Sequence, residues 1–177
     1  MENNKTAVFG GGCFWCTEAI FKRVKGVVKA EPGYAGGHVL NPSYKMVCTG
    51  TTGHAEVIRV SYDLKIITFL DLLEIFWYAH DPTTLNRQGN DIGSQYRSII
   101  FYQNDEQKKN AESSLNNTDA SGIFKKSIVT TIEMLDIFYP AEDYHSNYFA
   151  NNPNQPYCRA VIAPKVQHFL EGYHENK

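Results

Sequence analysis

Three consecutive glycines near the start of this chain, Gly10-Gly11-Gly12, separate a segment with a strand pattern from a segment with a helix pattern. The preceding run, Thr6 to Phe9, is short, apolar and rich in β-forming residues. After the glycines, apolar residues recur with helical spacing from Cys13 towards Lys25. Because glycine weakens both helices and strands, the run predicts a strand, a flexible turn and a helix start in direct succession.

The rest of the chain continues this alternation of strand and helix patterns. Glu56 to Tyr62 shows the period-two pattern of a strand, and a capping box at Thr68 and Asp71 begins an amphipathic helix. We further expect strands at Arg97–Tyr102 and Ser127–Leu135 and helices at Asn104–Asn117, at Ala141–Ala150 and from Pro164. Interleaved strands and helices are typical of a mixed α/β layer structure.

Length and charge narrow the class of protein. At 177 residues the chain is expected to form a single domain over residues 1–177, and a folded chain of this size buries about 70% of its surface. Its net charge of −2 gives no electrostatic footprint for nucleic acid. The sequence contains neither an export-signal pattern nor an apolar run of ~18 residues, so we expect a cytoplasmic protein with reduced thiols and no membrane partner.

The segment Cys13-Phe14-Trp15-Cys16 places two thiols at the expected helix start. Unpaired N–H groups and the helix dipole favour a thiolate there, so we expect the pKa of Cys13 to lie below the usual ~8.5. Cys16 lies one turn further on the same face, where it could attack an oxidised Cys13. Two other interpretations are open: both thiols pack as small hydrophobic groups, or they bind zinc together with His38 or His54.

Glu56 precedes Ile58 and Val60 at strand spacing and would therefore share their apolar face. A carboxyl group that points inward is desolvated, which raises its pKa and lets it donate a proton near neutral pH. The alternative is that the strand begins after Glu56 and leaves this side chain exposed. Periodicity alone does not separate the two.

An ordered set of short motifs runs through nearly the whole chain. The motifs are Gly12-Cys13-Phe14-Trp15, Gly33-Tyr34-x-Gly36-Gly37, Asn41-Pro42-x-Tyr44, Thr52-Gly53-His54-Ala55-Glu56, His80-Asp81-Pro82, Gln88-Gly89-Asn90-Asp91-x-Gly93-x-Gln95-Tyr96-Arg97 and Ala141-Glu142-x-Tyr144-His145. This set resembles that of the A-type peptide-methionine sulfoxide reductases, enzymes that return methionine sulfoxide to methionine. A lone Cys-x-x-Cys is a weak signal, but the number and order of these motifs make the resemblance specific.

The resemblance implies reduction of the S epimer of methionine sulfoxide, free or in proteins. Cys13 would attack the sulfoxide sulfur and become a sulfenic acid as methionine leaves. Glu56 matches the general acid of the family, and Tyr44 and Tyr96 match the tyrosines that bind the sulfoxide oxygen. Such a set makes chemical sense, because sulfur in a sulfoxide is a poor electrophile until its oxygen is protonated or strongly hydrogen-bonded.

Three further positions follow from the same resemblance. Asp91 matches an acidic position that would order a water or the main-chain amide of the substrate. Phe14 and Trp15 match the apolar pocket for the methyl group of the substrate, which needs an aromatic, water-poor wall. No metal or organic cofactor is expected, because the thiols carry both electrons.

Cys16 departs from the pattern of the family. Many members have glycine at this position and resolve the sulfenic acid from a glycine-rich C-terminal tail with two cysteines. Here Tyr157-Cys158 resembles the first tail cysteine, but Arg159 to Pro164 predicts a strand and then a helix, and no later cysteine follows. Our hypothesis is that Cys16 closes a local disulfide that thioredoxin reduces, with Cys158 as the alternative and Cys48 as a packed thiol without a role.

The resemblance also implies the architecture: an α+β, two-layer α/β sandwich, ferredoxin-like, with helices packed on a mixed, mainly antiparallel sheet. We expect a monomer. Two other functions are open: a general thioredoxin-like disulfide oxidoreductase, and a non-catalytic metal-binding or peptide-binding domain with an aromatic groove. The first fits poorly with bulky Phe14 and Trp15 between the cysteines and with an inward Glu56 far along the chain.

Overall fold

The computed structural model describes residues 4–175. Residues 1–3, which belong to the expected single domain and to the segment searched for an export signal, lie outside the described residues, as do residues 176 and 177. The strands are β1 (Asn4–Gly10), β2 (Val27–Ala35), β3 (Ala55–Asp63), β4 (Arg87–Gln88), β5 (Asp91–Ile92), β6 (Ile99–Tyr102), β7 (Thr131–Met134) and β8 (Tyr139–Pro140). The α-helices are α1 (Phe14–Phe21), α2 (Tyr44–Cys48), α3 (Phe69–Ala79), α4 (Asp105–Ala120), α5 (Tyr148–Asn151) and α6 (Ala163–Glu175).

Six of the strands form one sheet in the order β7-β6-β1-β3-β2-β8. Neighbouring strands pair antiparallel except β6 and β7, which pair parallel. The short strands β4 and β5 pair only with each other. The expected mixed, mainly antiparallel sheet with helices is therefore confirmed.

Helices cover one face of this sheet. Phe9 of β1 stacks on Phe21 of α1 and on Phe76 of α3, with ring centroids 5.5 and 5.0 Å apart. Ile58 of β3 belongs to the same buried cluster, whereas Val57 packs on the opposite face beneath Leu135 and Phe138. Because side chains alternate along a strand, Glu56 points to the helical face, as its spacing to Ile58 predicts.

Local signals in the sequence account for the middle helices. Thr68 and Asp71 form both hydrogen bonds of a capping box at the start of α3, and the side chain of Asn104 caps α4. The indole N–H of Trp77 in α3 donates to Oγ of Ser114 in α4 over 2.8 Å. Within residues 4–175, no helix combines the length and apolar character that crossing a membrane requires.

One helix prediction and one strand prediction near the C-terminus are wrong. The helix expected over Ala141–Ala150 is a 3-10 turn at Asp143–His145 followed by α5, because Asn147 between them takes a φ of +56°. The strand expected after Cys158 is a π-helical turn, Cys158–Ile162, that runs directly into α6. A short apolar run does not distinguish a buried strand from a buried helix, which explains the second error.

Candidate active site

The glycine turn after β1 brings the backbone close to neighbouring segments. Gly12 has a φ of +90°, and a Cβ atom there would lie 2.7 Å from Cγ of Gln88. A Cβ atom on Gly10 would lie 2.7 Å from Cγ2 of Ile99. A side chain at either position would collide with its neighbour, and the glycine turn delivers Cys13 to the N-cap position of α1.

Cys13 and Cys16 form a buried pair at this helix start, with exposed fractions of 7% and 2%. Burial raises the pKa of Cys13, and a hydrogen bond to Cys16 raises it further. The same hydrogen bond lowers the pKa of Cys16 against the effect of burial, and the positive charge of Lys165 adds to this lowering. The expected lowering of the Cys13 pKa is therefore wrong, because desolvation outweighs the favourable helix terminus.

Glu56 lies beneath the same helix start and is 1% exposed, so the inward of its two predicted orientations is the one observed. Its Oε2 accepts a hydrogen bond from the backbone N–H of Phe14 over 3.1 Å. Burial raises the pKa of Glu56 to about 8, and the negative charges of Asp91 and Cys16 act in the same direction. The carboxyl group is therefore largely protonated at neutral pH and can donate a proton.

Two phenols lie near this carboxyl group: Tyr44 in α2 and Tyr96 in a 3-10 turn, Ser94–Tyr96. Burial raises the pKa of both, and a charge on Glu56 raises it further. Both phenols therefore stay protonated near neutral pH and can donate hydrogen bonds to an oxygen atom. The hydroxyl of Tyr44 also hydrogen-bonds the thiol of Cys48, which is exposed rather than packed as we expected.

Asp91 is connected to the two cysteines at the helix start by a tyrosine from the C-terminal part of the chain. Its Oδ2 accepts a hydrogen bond from the hydroxyl of Tyr157 over 2.6 Å. The same hydroxyl hydrogen-bonds the thiol of Cys16. Asp91 and Cys16 are thus connected through one phenol.

An aromatic wall extends from the helix start. The ring of Trp15 stacks on Tyr148 at a centroid distance of 3.7 Å, with the two planes 7° apart. The indole N–H of Trp15 donates to Nδ1 of His145 over 2.9 Å. Phe14 is fully buried, and its ring lies 5.0 Å from that of His145 and 6.2 Å from that of Tyr44. The two residues predicted to form a methyl pocket therefore lie in one aromatic cluster.

Cys158, the alternative resolving cysteine, is also buried, with an exposed fraction of 0%. Its backbone N–H donates to Oε1 of Gln155 over 3.0 Å at the start of the π-helical turn. Burial raises the pKa of its thiol, and a negative charge on Cys16 raises it further. Cys158 therefore lies close enough to Cys16 to respond to its charge, and it belongs to a helical turn.

The zinc interpretation has no geometry to support it. Among residues 4–175, no group of three or more His, Cys, Asp or Glu side chains is placed to hold a metal ion. Both ring nitrogens of His54 are in local hydrogen bonds, to the N–H of Gly37 and the carbonyl of Val39.

Sequence reasoning assigned no role to three residues that contact this site: Glu142, His145 and Tyr157. Glu142 and His145 belong to the last motif of the resemblance, and Tyr157 directly precedes Cys158. Their positions in those motifs were the available signal. Their contacts depend on how distant segments fold together, which the sequence pattern does not encode.

Comparison with known proteins identifies relatives over nearly the whole chain. Residues 5–177 match the sequence model of the family described as peptide methionine sulfoxide reductase. Peptide methionine sulfoxide reductase MsrA of Saccharolobus solfataricus is 54% identical over 167 residues, which cover 94% of this chain and 93% of that protein.

Two solved structures of Mxr1 from Saccharomyces cerevisiae are similar to the fold. The reduced form is 37% identical with a TM-score of 0.82, and the match covers 88% of this chain and 89% of that chain. The form in complex with Trx2 is 26% identical with a TM-score of 0.58, and the match covers 82% of this chain and 84% of that chain.

Proposed function

This chain belongs to the peptide methionine sulfoxide reductase family and is an oxidoreductase, and from that premise we propose how its site performs the reaction. The substrate is the S epimer of methionine sulfoxide, free or in proteins, and the product is methionine. The observation that carries this proposal is the buried carboxyl group of Glu56, which accepts a hydrogen bond from the backbone N–H of Phe14, the residue after the N-cap Cys13, and whose burial raises its pKa to about 8.

In the first step, Cys13 attacks the sulfoxide sulfur and the sulfur–oxygen bond breaks. Glu56 protonates the departing oxygen, while Tyr44 and Tyr96 donate hydrogen bonds to it. The attack joins the two sulfur atoms, and the oxygen, which takes one proton from Glu56 and one from the Cys13 thiol, leaves as water. Water then attacks the sulfur of Cys13, the sulfur–sulfur bond breaks with its electron pair passing to the methionine sulfur, and Cys13 is left as a sulfenic acid. The proton that this water gives up restores the Glu56 carboxyl group.

The raised pKa of Cys13 fits this order of events. The thiol is held protonated in the substrate-free site, since burial and the neighbouring Cys16 disfavour its anion. A sulfoxide oxygen placed between Glu56 and the two phenols accepts protons and becomes a better leaving group. The site therefore favours attack only when a substrate is in place, and it limits side reactions of a free thiolate.

In the second step, Cys16 attacks the sulfenic sulfur, a disulfide forms and water is released. Its lowered pKa makes it the more available thiolate, and its position one turn after Cys13 suits a local disulfide. Cys158 is the weaker candidate because its pKa is raised by burial. A thioredoxin dithiol then reduces the disulfide, a partner proposed from the solved complex of the related Mxr1 with Trx2.

The aromatic cluster supplies substrate recognition. Phe14 and Trp15 form the apolar wall for the methyl group, and Trp15 is held in orientation by Tyr148 and by the hydrogen bond to His145. Asp91, fixed by the hydroxyl of Tyr157, orders a water or the main-chain amide of a peptide substrate. No metal or organic cofactor takes part in this scheme, because the two thiols carry the electrons.

The finer features of the architecture belong to the same proposal. The core order β6-β1-β3-β2, with α1 after β1 and α3 after β3, supports a ferredoxin-like two-layer α/β sandwich. We further propose a single catalytic domain over residues 1–177 that acts as a cytoplasmic monomer, without a nucleic-acid or membrane partner.

A dithiothreitol-dependent assay with the separate S and R epimers tests the proposed reaction. We expect the parent protein to reduce the S epimer and Cys13→Ser to lose more than roughly 10³-fold of that rate, because the nucleophile is removed. Cys158→Ser is the matched control, since it removes a free thiol that takes no part in the first step, and it should retain the parent rate. Equal turnover by Cys13→Ser, or preference for the R epimer, would contradict the assignment.

A further inference from the structure

Glu142 uses both oxygens of its carboxylate to connect two segments of the site. Its Oε1 accepts a hydrogen bond from the hydroxyl of Tyr34 over 2.9 Å. Its Oε2 accepts a hydrogen bond from the backbone N–H of Tyr44 over 3.0 Å. Glu142 follows the edge strand β8 and immediately precedes the 3-10 turn Asp143–His145.

Tyr34 is the fixed end of this connection. It is 0% exposed, and in the pairing of β2 with β3 it lies directly opposite Glu56. Its ring also packs 5.7 Å from that of Phe14. The hydroxyl that holds Glu142 therefore belongs to the same strand pair that positions the proton donor.

Tyr44 is the end that needs to be held. It is the first residue of α2, a helix of only five residues, and isolated helices of this length are unstable. The ring of His145 lies 4.5 Å from that of Tyr44, so the segment after β8 contacts both the backbone and the ring of this tyrosine. The position of the Tyr44 phenol therefore depends on contacts from outside α2.

Glu142 is ionised in this setting. Burial raises its pKa, but the hydrogen bonds from Tyr44 N–H, its own N–H and the Tyr34 hydroxyl outweigh burial, and the pKa lies below its usual value. Hydrogen bonds to a charged carboxylate are stronger than those between neutral groups. The carboxylate therefore holds both donors more firmly than a neutral amide of the same shape would.

We propose that Glu142 is a positioning residue, which fixes the phenol of Tyr44 relative to the Glu56 proton donor through the chain Glu56–Tyr34–Glu142–Tyr44. This inference rests on the proposed function, in which Tyr44 binds the sulfoxide oxygen. Glu142 itself touches no reacting atom. Its effect is on the geometry in which the oxygen is bound in the transition state, so it acts on kcat more than on KM.

A double-mutant cycle with Glu142→Gln and Tyr44→Phe tests the inference by single-turnover methionine formation. We expect Glu142→Gln to lower the rate at saturating substrate roughly tenfold, with KM changed less than about twofold. In the Tyr44→Phe background, the same change should cost less than about twofold, because the phenol that Glu142 positions is gone. Asp143→Asn, an exposed neighbour that also removes one negative charge, is the control and should keep the parent rate.

The outcomes separate the two proposals. If Tyr44→Phe alone keeps the parent rate, the role of Tyr44 in the proposed function fails, and the role of Glu142 fails with it. If Tyr44→Phe is slow but Glu142→Gln is as fast as the parent, or costs the same factor in both backgrounds, only the positioning role is overturned. Should Glu142→Gln not fold, Tyr34→Phe, which removes one hydroxyl from the same chain, replaces it in the cycle with the same expected coupling.

Discussion

Cys16 and Cys158 are both buried in the cluster that contains Cys13, yet the two thiols differ in the charges and the backbone that surround them. Cys16 shares a hydrogen bond with Cys13 one helical turn away, and its pKa is lowered. Cys158 lies at the start of a π-helical turn continuous with α6, and burial raises its pKa. The two thiols therefore do not differ in solvent exposure. They differ in the direction of their pKa shift and in the secondary structure to which they belong.

The comparison shows that a resolving cysteine needs two properties: a reactive thiol and a position from which its sulfur reaches that of Cys13 with little movement of the backbone. A disulfide requires Cα atoms about 4.4–6.8 Å apart, and residues three positions apart in a helix approach this range. Cys16 thus needs little more than a side-chain rotation to reach Cys13. Cys158 belongs to a hydrogen-bonded helical segment, and any displacement of that segment towards Cys13 would cost conformational energy in every catalytic cycle.

Replacing each cysteine with serine is the most direct way to break this comparison. We expect Cys16→Ser to lower thioredoxin-dependent multiple turnover by roughly 10³-fold, because a neighbouring thiol is lost as an intramolecular nucleophile. It should still form about one methionine per enzyme molecule, since Cys13 remains. Cys158→Ser, the matched control, should change turnover less than about twofold. Steady-state rates with thioredoxin and burst amplitudes measure both effects.

Mass mapping of the disulfide after one turnover gives the decisive identification. A Cys13–Cys16 link in the parent protein is the expected product. A Cys13–Cys158 link, or a larger loss of turnover in Cys158→Ser than in Cys16→Ser, would reverse the assignment of the two thiols.

Glu56 is proposed to act in methionine formation, and the two cysteines compete only in the disulfide formation that follows. A change at Glu56 therefore tests the first step alone. We expect Glu56→Gln to slow methionine formation by roughly 10²-fold, because the amide cannot transfer a proton. In the parent protein the neutral carboxyl group is the active form, so the rate should be constant at lower pH and fall as pH rises through about 8. Rapid-quench measurements of methionine between pH 6 and pH 10 check this, and an unchanged rate in Glu56→Gln removes it from the mechanism.

The same pH profile distinguishes the two thiols. A charge on Cys16 contributes to the raised pKa of Glu56, whereas Cys158 makes no such contribution. The alkaline limb should therefore move to lower pH in Cys16→Ser and stay in place in Cys158→Ser. Equal shifts in both variants would show that the electrostatic difference between the thiols is incorrectly assigned.

Glu56 should also leave a mark on stability. Its pKa in the folded protein, about 8, lies above the value of an unfolded carboxyl, so its contribution is most favourable below pH ~4.3 and is lost as pH rises towards 8. Relative to Glu56→Gln, the parent protein should lose on the order of 3 kcal/mol of unfolding free energy between pH 4.5 and pH 7. Denaturant unfolding of both proteins across this range measures the difference.

Removing the charge of Lys165 has the smallest expected effect, a change in the rate of disulfide formation through the pKa of Cys16. It lies in α6, continuous with the segment of Cys158, and its charge lowers the pKa of Cys16. We expect Lys165→Met to raise that pKa and slow disulfide formation roughly threefold near neutral pH, as for a pair near the surface. Lys125→Met, an exposed control, should have no effect. Unchanged pH dependence of Cys16 alkylation in Lys165→Met would contradict this role.

Local signals allowed the strand, glycine turn and helix start to be predicted, together with the capping box at Thr68 and Asp71. The orientation of Glu56 followed from period two once the strand was known to include it. The direction of the Cys13 pKa was predicted wrongly, because it depends on burial by segments distant in sequence. The π-helical turn after Cys158 was missed because apolar runs of that length suit both helix and strand.

The contacts of Glu142, His145 and Tyr157 were not predictable for a related reason. Each bond joins the C-terminal part of the chain to a segment near the N-terminus or the middle, as in the pairing of His145 with Trp15. Such a contact reflects the way the chain packs, and no local pattern encodes it. The motif that contains Glu142 and His145 marked the region but not the partners.

The arrangement around Trp15 has an optical consequence. The chain contains two tryptophans, and Trp77 is held between α3 and α4 by its bond to Ser114. Trp15 instead lies between Cys13 and Cys16 in sequence, and it is stacked on Tyr148 and hydrogen-bonded to His145. We therefore expect the fluorescence of Trp15 to change when Cys13 and Cys16 are oxidised, because its nearest neighbours in sequence change, and that of Trp77 to change less. On that expectation the protein carries its own spectroscopic label, and oxidation and reduction can be followed without an added dye.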